Sequence, residues 1–430
     1  MSELLSDVYE IVTDHAVSTS VSSRAAAALN AGRIQAAINT GKHVLFPEGE
    51  YVFADTIEFD NEAQRATFLA GAILVPWDSE SYVRITGRRQ TISGLRIEAG
   101  KGVAAHSPLL DIDGTFAAEL QLDDIRIVIA ELSTTVDDPG AAVRVRNLTK
   151  CQFFGGSISG PATAGTVGLL LANDNTADLS GAGAGAYETG ATGLQVEGFG
   201  WAVVVACTCD NPTFIDCGFT DNVDGAVRVQ PAPLVTGPTT ATALVLVGCR
   251  ASGSPRQFVQ VDAGGVWKAG GLYSCTFDAA AAAAGAPEAK VRGPFAPTCI
   301  VRGAGSLIGV TVTGCQLSGA RDAIWYLANM PGNTCDIFNA WGETPVAVGP
   351  TGDQLFQLSG NASGGLVLTA REVLMSSQRL GFFDGNPGEQ GARFTVPAGS
   401  PPSSGTLSAK DGVLRLLRDL AAVGLVQVKA

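Results

Sequence analysis

A six-residue pattern of hydrophobic positions recurs along the middle of the chain: apolar, two variable residues, cysteine, one variable residue, apolar. The cysteine-containing copies lie at 148–153, 214–219, 246–251, 272–277 and 312–317. The same frame occurs without cysteine at 92–97, 122–127 and 196–201. Successive copies mostly lie about 20–50 residues apart, a period typical of proteins whose repeats stack into a solenoid.

The residues around these copies predict strands. From about residue 56 to residue 345 the chain consists of short β-type runs separated by Gly, Asn, Asp and Pro, without helical periodicity. This excludes α-solenoids and favours a β-solenoid. Cys and the residue two positions later share one face of a strand, so stacked turns would align them in inward columns. The irregular stretches 162–190 and 231–241 are predicted to be projecting loops.

A helix is predicted from Arg24 to Asn39, with Leu29, Ile34 and Ile38 on its apolar face. Ser22 or Ser23 is positioned to cap its start, and glycine 41 follows its end. Two strands joined by a Pro/Gly turn come next, at 42–52. A helix at this point is expected to cover the open end of the solenoid, whose unpaired edge would otherwise promote aggregation.

The opening of this region resembles a known family. The sequence IQAAIN at 34–39 is followed by VLFPEGEY at 44–51 and then by the frame-containing turns. This order resembles the right-handed parallel β-helices of the pectate-lyase-like superfamily, over about residues 30–345. The resemblance implies an all-β fold, a right-handed parallel β-helix with an N-terminal capping helix.

The C-terminal part has a different character. LGFFDGNP at 380–387 precedes a Pro/Ser/Gly stretch at 396–405 and an amphipathic segment at 411–426, predicted to form a short helix. This order resembles the tail of bacteriophage virion proteins, especially tail fibres and tail spikes. The resemblance implies a homotrimer assembled with other virion proteins on a tail or a head. We therefore divide the chain into a particle-attachment peptide (1–24), the β-helix (25–345) and a virion-type tail and oligomerisation segment (346–430).

Charge and composition limit the classes of binding partner and indicate the cellular compartment in which the chain is made. The net charge of −13 argues against nucleic acid and against anionic membranes. No apolar run approaches the roughly 20 residues of a transmembrane helix, and the N-terminus has no signal-peptide core. Five of the nine cysteines occupy the repeated frame, which favours buried, reduced thiols. Synthesis in the bacterial cytoplasm followed by incorporation into a virion fits these features.

The sequence offers few candidates for chemistry. Cys207 and Cys209 have no Cys/His partner pair at zinc spacing, so no metal site or cofactor is predicted. Glycoside hydrolysis requires two carboxylates, for which Asp221 and Asp224 are the candidates, although Asp near Gly is also a common turn former. Asp123 and Asp124 near Arg126 are the corresponding candidates for a calcium-dependent lyase, but these are outward positions without the catalytic Arg motif, and a solvated strand face is the favoured interpretation.

Aromatic side chains are candidates for stacking on sugars. We predict Trp267, in a glycine-rich turn, to be the most exposed of them, together with Trp325 and Tyr326. Trp201 occupies the inward end of a frame and is predicted to be core.

Three functions remain open from the sequence. The first is a virion spike or fibre that binds host surface polysaccharide during adsorption. The second is a capsule or exopolysaccharide depolymerase on the same scaffold, which the scarcity of acid pairs disfavours. The third is a purely structural virion component.

Overall fold

The computed structural model describes residues 9–15, 17, 21–100, 104–114, 119–132, 140–146, 148–172, 186–231, 239–253, 257–278, 299–303, 305–313 and 315–318, and five further strands listed below. Within these residues the chain winds repeatedly through three sheets, named A, B and C in the order in which each turn visits them. Each strand pairs in parallel with the equivalent strands of the turns before and after it, up to residue 348. The predicted all-β parallel β-helix is confirmed.

The strands of the described part divide unequally among the sheets. Sheet A contains Tyr9–Ile11, His43–Phe46, Arg65–Phe68, Gln90–Ser93, Glu119–Asp123, Lys150–Phe154, Thr189–Thr192, Cys209–Asp210, Thr213–Ile215, Thr239–Val247, Gly265–Tyr273, Ser306–Ile308, Thr311–Thr313 and Thr334–Cys335. Sheet B contains Gly49–Phe53, Ala72–Pro76, Arg96–Ala99, Arg126–Ile129, Ser157–Ser159, Gln195–Glu197, Gly218–Thr220, Arg250–Ser252, Thr276–Asp278 and Gln316–Ser318. Sheet C contains Thr56–Phe59, Tyr82–Ile85, Leu110–Asp113, Ala141–Arg146, Val167–Ala172, Trp201–Ala206, Gly225–Val229, Gln257–Val261, Cys299–Gly303, Trp325–Tyr326, Val346–Val348, Gln354–Gly360 and Leu366–Ala370, the last two antiparallel.

The predicted helix is present as α1 (Arg24–Ile38), and the Ser23 hydroxyl caps it by accepting from the Ala26 N–H at 3.3 Å. Ile34 and Ile38 are buried as expected. The prediction for Leu29 is wrong, because its side chain is 55% exposed. The apolar face of α1 instead continues through alanines, which allow the helix to approach the strands closely.

Helix α1 covers the first edge of sheets B and C with its amide side chains. Asn30 Nδ2 donates to the Val52 carbonyl oxygen at 3.0 Å. Gln35 Nε2 donates to the Glu58 carbonyl oxygen, and Gln35 Oε1 accepts from the Glu58 N–H, both at 2.8 Å. The first edge of sheet A is paired with the strand Tyr9–Ile11, and Val12 beside it is buried. Residues 9–12 of the predicted attachment peptide therefore pack on the solenoid.

Inward side chains form one continuous core through the described turns. The frame crosses the corner between sheets A and B. Its first residue points inward from sheet A, its middle residue occupies the corner, and its last residue points inward from sheet B. The corner column consists of Leu95, Ile125, Gly156, Leu194, Cys217, Cys249, Cys275 and Cys315, all of them buried except the half-buried Gly156.

Seven described residues that directly precede a corner residue have a left-handed backbone. These residues are Gly94, Asp124, Gly155, Gly193, Asp216, Gly248 and Ser274, with φ between 50° and 72°. The first six each donate their N–H to the carbonyl oxygen of the next sheet A strand at 2.8–2.9 Å. The repeated corner therefore requires Gly or a residue that tolerates positive φ, which explains the Asp and Ser in this column.

One cysteine copy of the predicted frame, at 148–153, is out of register with the structure. Cys151 is buried but lies within sheet A, opposite Leu120 and Thr189, and not at the corner. The frame of that turn runs through Phe153, Gly156 and Ile158. The expectation of five cysteines in one column is thus corrected to four in the described chain. Each of these four thiols donates to a main-chain carbonyl of the preceding turn, at 3.3–3.6 Å.

The copy at 196–201 is also out of register, since the frame of that turn runs through Ala191, Leu194 and Val196. Trp201 is buried as predicted, but it is not in the interior column. It belongs to a separate apolar cluster with Val167, Leu170 and Val204 on sheet C. The Arg228 guanidinium lies 5.6 Å from the centre of its ring system.

The predicted loop at 162–190 contains the buried strand Val167–Ala172 of sheet C, so that prediction is wrong for these residues. The Gly/Ala-rich sequence around the strand made the four consecutive apolar residues 169–172 harder to identify as a strand. The motif at 380–387 and the amphipathic segment at 411–426 lie outside the described residues, as do the side chains of Trp325 and Tyr326. The three-part division of the chain stays a prediction.

Candidate functional site

The predicted carboxylate candidates lie at corners of the solenoid. Asp221 occupies the corner between sheets B and C with φ of 55°, and its N–H donates to the Ser252 carbonyl oxygen at 2.9 Å. Gly198 and Gly253 hold the equivalent positions in the turns before and after it, both with positive φ. A Cβ at Gly253 would collide with the Asp221 carboxylate. Asp221 therefore has a structural role as a corner residue.

Asp224 holds a loop in place. Its Oδ2 accepts from the Gly165 N–H at 2.9 Å, and its own N–H donates to the Gly200 carbonyl oxygen at 2.8 Å. Asp124 and Asp216 belong to the left-handed column between sheets A and B. These contacts support the turn interpretation of the acidic residues, while their catalytic role stays an untested prediction.

Trp267 is not an exposed platform. Its side chain is fully buried, and its Nε1 donates to the Leu244 carbonyl oxygen at 3.2 Å. The residue lies in the strand Gly265–Tyr273, not in a turn, and pairs with Ala241 of the preceding turn. The small Ala241 side chain leaves room for the indole in the core. Trp325 is described only as part of a sheet C strand, with Tyr326 beside it.

Three arginines and two aspartates on the outer face of sheet C form a network of ion pairs. Arg144 binds Asp111 through Nε and Nη2, at 2.9 and 3.1 Å. Arg146 Nη2 lies 3.2 Å from Asp111 Oδ2 and 2.9 Å from Asp113 Oδ2, and Arg84 binds Asp113 at 3.0 Å. Both aspartates are almost completely buried. Because arginines occupy both carboxylates, this cluster offers no accessible acid.

His43 and His106 both contact neighbouring side chains. Burial is the main cause that lowers the pKa of His43, whose Nε2 lies 2.9 Å from the Thr67 hydroxyl. His106 stacks on Tyr82 with ring centres 4.3 Å apart. Among the described residues, no group of three or more His, Cys, Asp or Glu side chains is placed to hold a metal ion. No described helix is long and apolar enough to cross a membrane.

The outer face of sheet A has a composition unlike the other two faces. We call it face A and define it by two columns of outward residues over seven consecutive turns. The first column is Thr91, Gln121, Gln152, Gly190, Thr213, Val245 and Gly271. The second column is Ser93, Asp123, Phe154, Thr192, Ile215, Val247 and Tyr273.

Large apolar groups are exposed on face A. Phe154 is 43% exposed and Ile215 is 37% exposed, with Val247 and Tyr273 half-buried in the same column. The column continues toward the N-terminus through Thr67, Leu45 and the exposed Ile11. Strands in a sheet lie about 4.8 Å apart, so the seven turns extend about 29 Å and Phe154 lies about 19 Å from Tyr273.

Hydroxyl and amide groups lie between these apolar side chains. Gln121 Nε2 donates to both oxygens of Asp123, at 2.9 and 3.1 Å, and the Ser93 hydroxyl donates to Asp123 Oδ2 at 3.3 Å. Gln152 lies one turn further along, with its amide on the Glu188 carbonyl oxygen at 2.7 Å. Asp123 is the one charged residue among the fourteen positions of face A. Aromatic rings, amides and hydroxyls are groups that bind sugars.

Face A is difficult to predict from the sequence because apolar residues normally indicate buried positions. In each frame whose register agrees with the structure, the second residue points outward and lies in the second column of face A or in the continuation of that column. Phe154, Ile215, Val247 and Tyr273 all directly follow an inward residue of sheet A. Two adjacent apolar residues at the start of the frame, one of them facing out, were the available signal.

Comparison with known proteins gives matches at the level of fold. No family model matches the chain, and no curated protein does. Solved structures with similarity include ORF18 of Geobacillus virus E2, with a TM-score of 0.42 and 11% identity over 84% of this chain and 66% of that chain. The Dettilon tailspike protein has a TM-score of 0.38 and 11% identity over 77% of this chain and 70% of that chain. The tailspike gp42 of Acinetobacter phage vb_AbaP_AS12 has a TM-score of 0.35 and 11% identity over 89% of this chain and 68% of that chain. The chain thus spans about two thirds of the length of these solved chains. Two of the three are phage tailspikes, to which this chain is similar in fold.

Proposed function

We propose that this protein is a virion spike of a phage or phage-like particle and that it binds host surface polysaccharide through face A. The observation that carries the binding proposal is the exposed Phe154 ring within a surface of amide and hydroxyl groups. The virion part is supported by the resemblance of the opening motif and of the C-terminal segment to such spikes. Residues 1–24 and 346–430 are proposed to provide attachment and assembly into a homotrimer with other virion proteins.

Binding is tested with the full chain and polysaccharide extracted from candidate host cells. We expect retention on the immobilised polymer and loss of most of it in Phe154→Ala. Leu29→Ala is the matched control, because Leu29 is also an exposed large apolar residue but lies on α1. Equal retention of wild type and Phe154→Ala would contradict binding through face A.

The virion assignment has separate tests. Mass spectrometry of purified particles should detect the chain, and light scattering of the pure protein should give three times the chain mass. Absence from particles would contradict the spike proposal, and a monomer would contradict the trimer. A reducing-end assay on the bound polymer distinguishes adsorption from depolymerisation: new chain ends would favour the enzymatic alternative. A chain found in particles that binds no host polymer would favour the purely structural alternative.

A further inference from the structure

We propose that the four cysteines of the corner column are a modification site, at which oxidation by a diffusible peroxide forms the disulfides Cys217–Cys249 and Cys275–Cys315. We call these four residues the cysteine ladder. Each disulfide joins two adjacent turns of the solenoid at the corner between sheets A and B. This inference goes beyond the proposed function and does not depend on polysaccharide binding.

The backbone holds Cys217, Cys249 and Cys275 directly opposite one another. The Arg250 N–H donates to the Cys217 carbonyl oxygen, and the Thr276 N–H donates to the Cys249 carbonyl oxygen, both at 2.9 Å. Equivalent residues of stacked parallel turns lie about 4.8 Å apart. This distance falls within the Cα separation of about 4.4–6.8 Å that disulfides require, so pairing needs no change of register.

The last step of the ladder is held in the same way. Tyr273 pairs with Thr313 on the sheet A side of the corner, and Thr276 pairs with Gln316 on the sheet B side. The cysteines 275 and 315 lie between these two pairs, two residues after the first and one before the second. They therefore occupy equivalent positions in adjacent turns, as the earlier members of the ladder do.

The thiols of the ladder already interact with one another. The Cys249 thiol hydrogen-bonds with the thiols of Cys217 and Cys275, and the Cys275 thiol hydrogen-bonds with that of Cys315 as well. All four are free thiols, and all four lie between strands and not within them. Because each thiol lies beside its partner, pairing requires only a rotation of the two side chains.

Cys275 is the expected first reactant. When its thiol loses the proton, the Cys249 and Cys315 thiols donate to the sulfur, and these hydrogen bonds lower the pKa of Cys275. The thiolate is the reactive form of cysteine, so a lower pKa favours attack on a peroxide. Burial raises the pKa of the isolated Cys151 thiol instead, which disfavours the same reaction there.

The chemistry balances with hydrogen peroxide as the oxidant. The Cys275 thiolate attacks one peroxide oxygen, the O–O bond breaks, and the sulfenic acid forms while the leaving hydroxide takes a proton and becomes water. The Cys315 sulfur then attacks the sulfenic sulfur, the S–S bond forms, and the hydroxyl leaves as a second water with the Cys315 proton. Two thiols and one peroxide thus give one disulfide and two waters.

Only one arrangement of pairs uses all four thiols. If Cys249 and Cys275 pair first, the Cys217 thiolate lies next to that disulfide and can attack the Cys249 sulfur. This exchange forms Cys217–Cys249 and releases Cys275, which a second peroxide then joins to Cys315. Excess peroxide therefore converts the ladder to two disulfides.

Cys151 provides a matched control within the same chain. Its side chain is as buried as that of Cys249. The residues opposite Cys151 in the adjacent turns are Leu120 and Thr189, so the stack places no thiol directly above or below it. We expect Cys151 to stay a free thiol under conditions that oxidise the ladder.

The test treats the folded full chain with dilute hydrogen peroxide. The chain is then unfolded, alkylated and digested without reductant, and mass spectrometry identifies the linked peptides. We expect the links Cys217–Cys249 and Cys275–Cys315, with Cys151 alkylated. In urea, the unfolded fraction of the oxidised chain should be lower by more than about tenfold, because each disulfide closes a loop of roughly 30–40 residues, and reductant should reverse this effect.

Single substitutions identify the partners. Cys249→Ala should retain the Cys275–Cys315 link and leave Cys217 free. Cys275→Ala should retain the Cys217–Cys249 link and leave Cys315 free. Cys151→Ala should form both links as the wild type does, and circular dichroism checks that each variant is folded.

Three results would overturn the inference: all four ladder cysteines alkylated after oxidation, a link between Cys151 and the ladder, or disulfides that join separate chains on a non-reducing gel. The proposed function is tested independently. Absence of polysaccharide binding leaves the disulfides intact as an inference, and free ladder thiols leave the spike proposal intact.

Discussion

The Cys249 thiol donates to the Phe214 carbonyl oxygen of the preceding turn, with an Sγ–O distance of 3.3 Å. Cys217, Cys275 and Cys315 repeat this relationship in the same column. The column therefore consists of buried thiols that each link two adjacent turns.

Removing one thiol from this column should weaken the solenoid modestly. We expect Cys249→Ala to lower the free energy of unfolding by about 1–2 kcal/mol, because it leaves a small cavity and removes a weak hydrogen bond. Chemical denaturation measures the change. Ser252→Ala, at an outward position of sheet B, is the control and should stay within about 0.5 kcal/mol of wild type. An equal effect of both substitutions would contradict the structural role of the column.

Stability should fall at alkaline pH. Burial raises the pKa of the Cys151 thiol well above its ordinary value of 9.0. The folded chain keeps this proton while the unfolded chain loses it, so the contribution is complete below pH 9.0 and declines as the pH rises further. One such thiol changes the free energy of unfolding by at most about 1.4 kcal/mol per pH unit. Unfolding measured from neutral pH upward should show a shallower decline in Cys151→Ala, and an identical slope would contradict this account.

Substitutions at Asp221 separate a corner role from catalysis. Glycine adopts positive φ without strain, whereas alanine costs about 1 kcal/mol there. We therefore expect Asp221→Gly to unfold like wild type and Asp221→Ala to lose about 1 kcal/mol. A catalytic carboxylate predicts a different result, since both variants would then lose any depolymerase activity equally in a reducing-end assay.

Substitution of an arginine in the buried network on sheet C should lower the free energy of unfolding more than substitution in a surface ion pair. Arg146→Ala leaves Asp111 and Asp113 buried with fewer cations, which costs about 3–5 kcal/mol. Arg96→Ala removes the more exposed pair with Glu98 and should cost less than about 1 kcal/mol. Thermal unfolding of the two variants gives the comparison, and similar melting temperatures would contradict the ranking.

Trp267→Ala should behave as a core substitution. Because the indole is fully buried and its Nε1 donates to Leu244, we expect a loss of about 3–5 kcal/mol. Glycan affinity of the fraction that folds should be unchanged. Reduced affinity without a change in stability would restore Trp267 as a sugar-binding residue.

The fold could be predicted because the inward residues repeat with fixed spacing across one corner. Leu122, Ile125 and Ile127 are adjacent in the core, and this local pattern is visible without knowledge of pairing. Register was harder to predict, since Cys151 is as buried as Cys217 and only the strand pairing separates them. Pairing depends on contacts between turns, which lie far apart in the sequence.

The candidate site was predicted poorly for a related reason. Trp267 has several glycine neighbours, which normally indicate a turn. In the folded chain, Gly270 and Gly271 instead allow a nine-residue strand to bend along the strand before it, and Ala241 makes room for the indole. Phe154 follows the inward Phe153 directly, and the strand pairing establishes which of these two adjacent rings faces outward.

The amide contacts of α1 have a consequence for synthesis on the ribosome. Residues 9–38 leave the ribosome before the first complete turn of the solenoid. They already contain the groups that pair with the three strand edges of that turn. A growing chain therefore presents an unpaired edge only in the direction in which translation adds the next turn. Each new turn covers that edge, so the nascent protein is protected from joining a neighbour at the end made first.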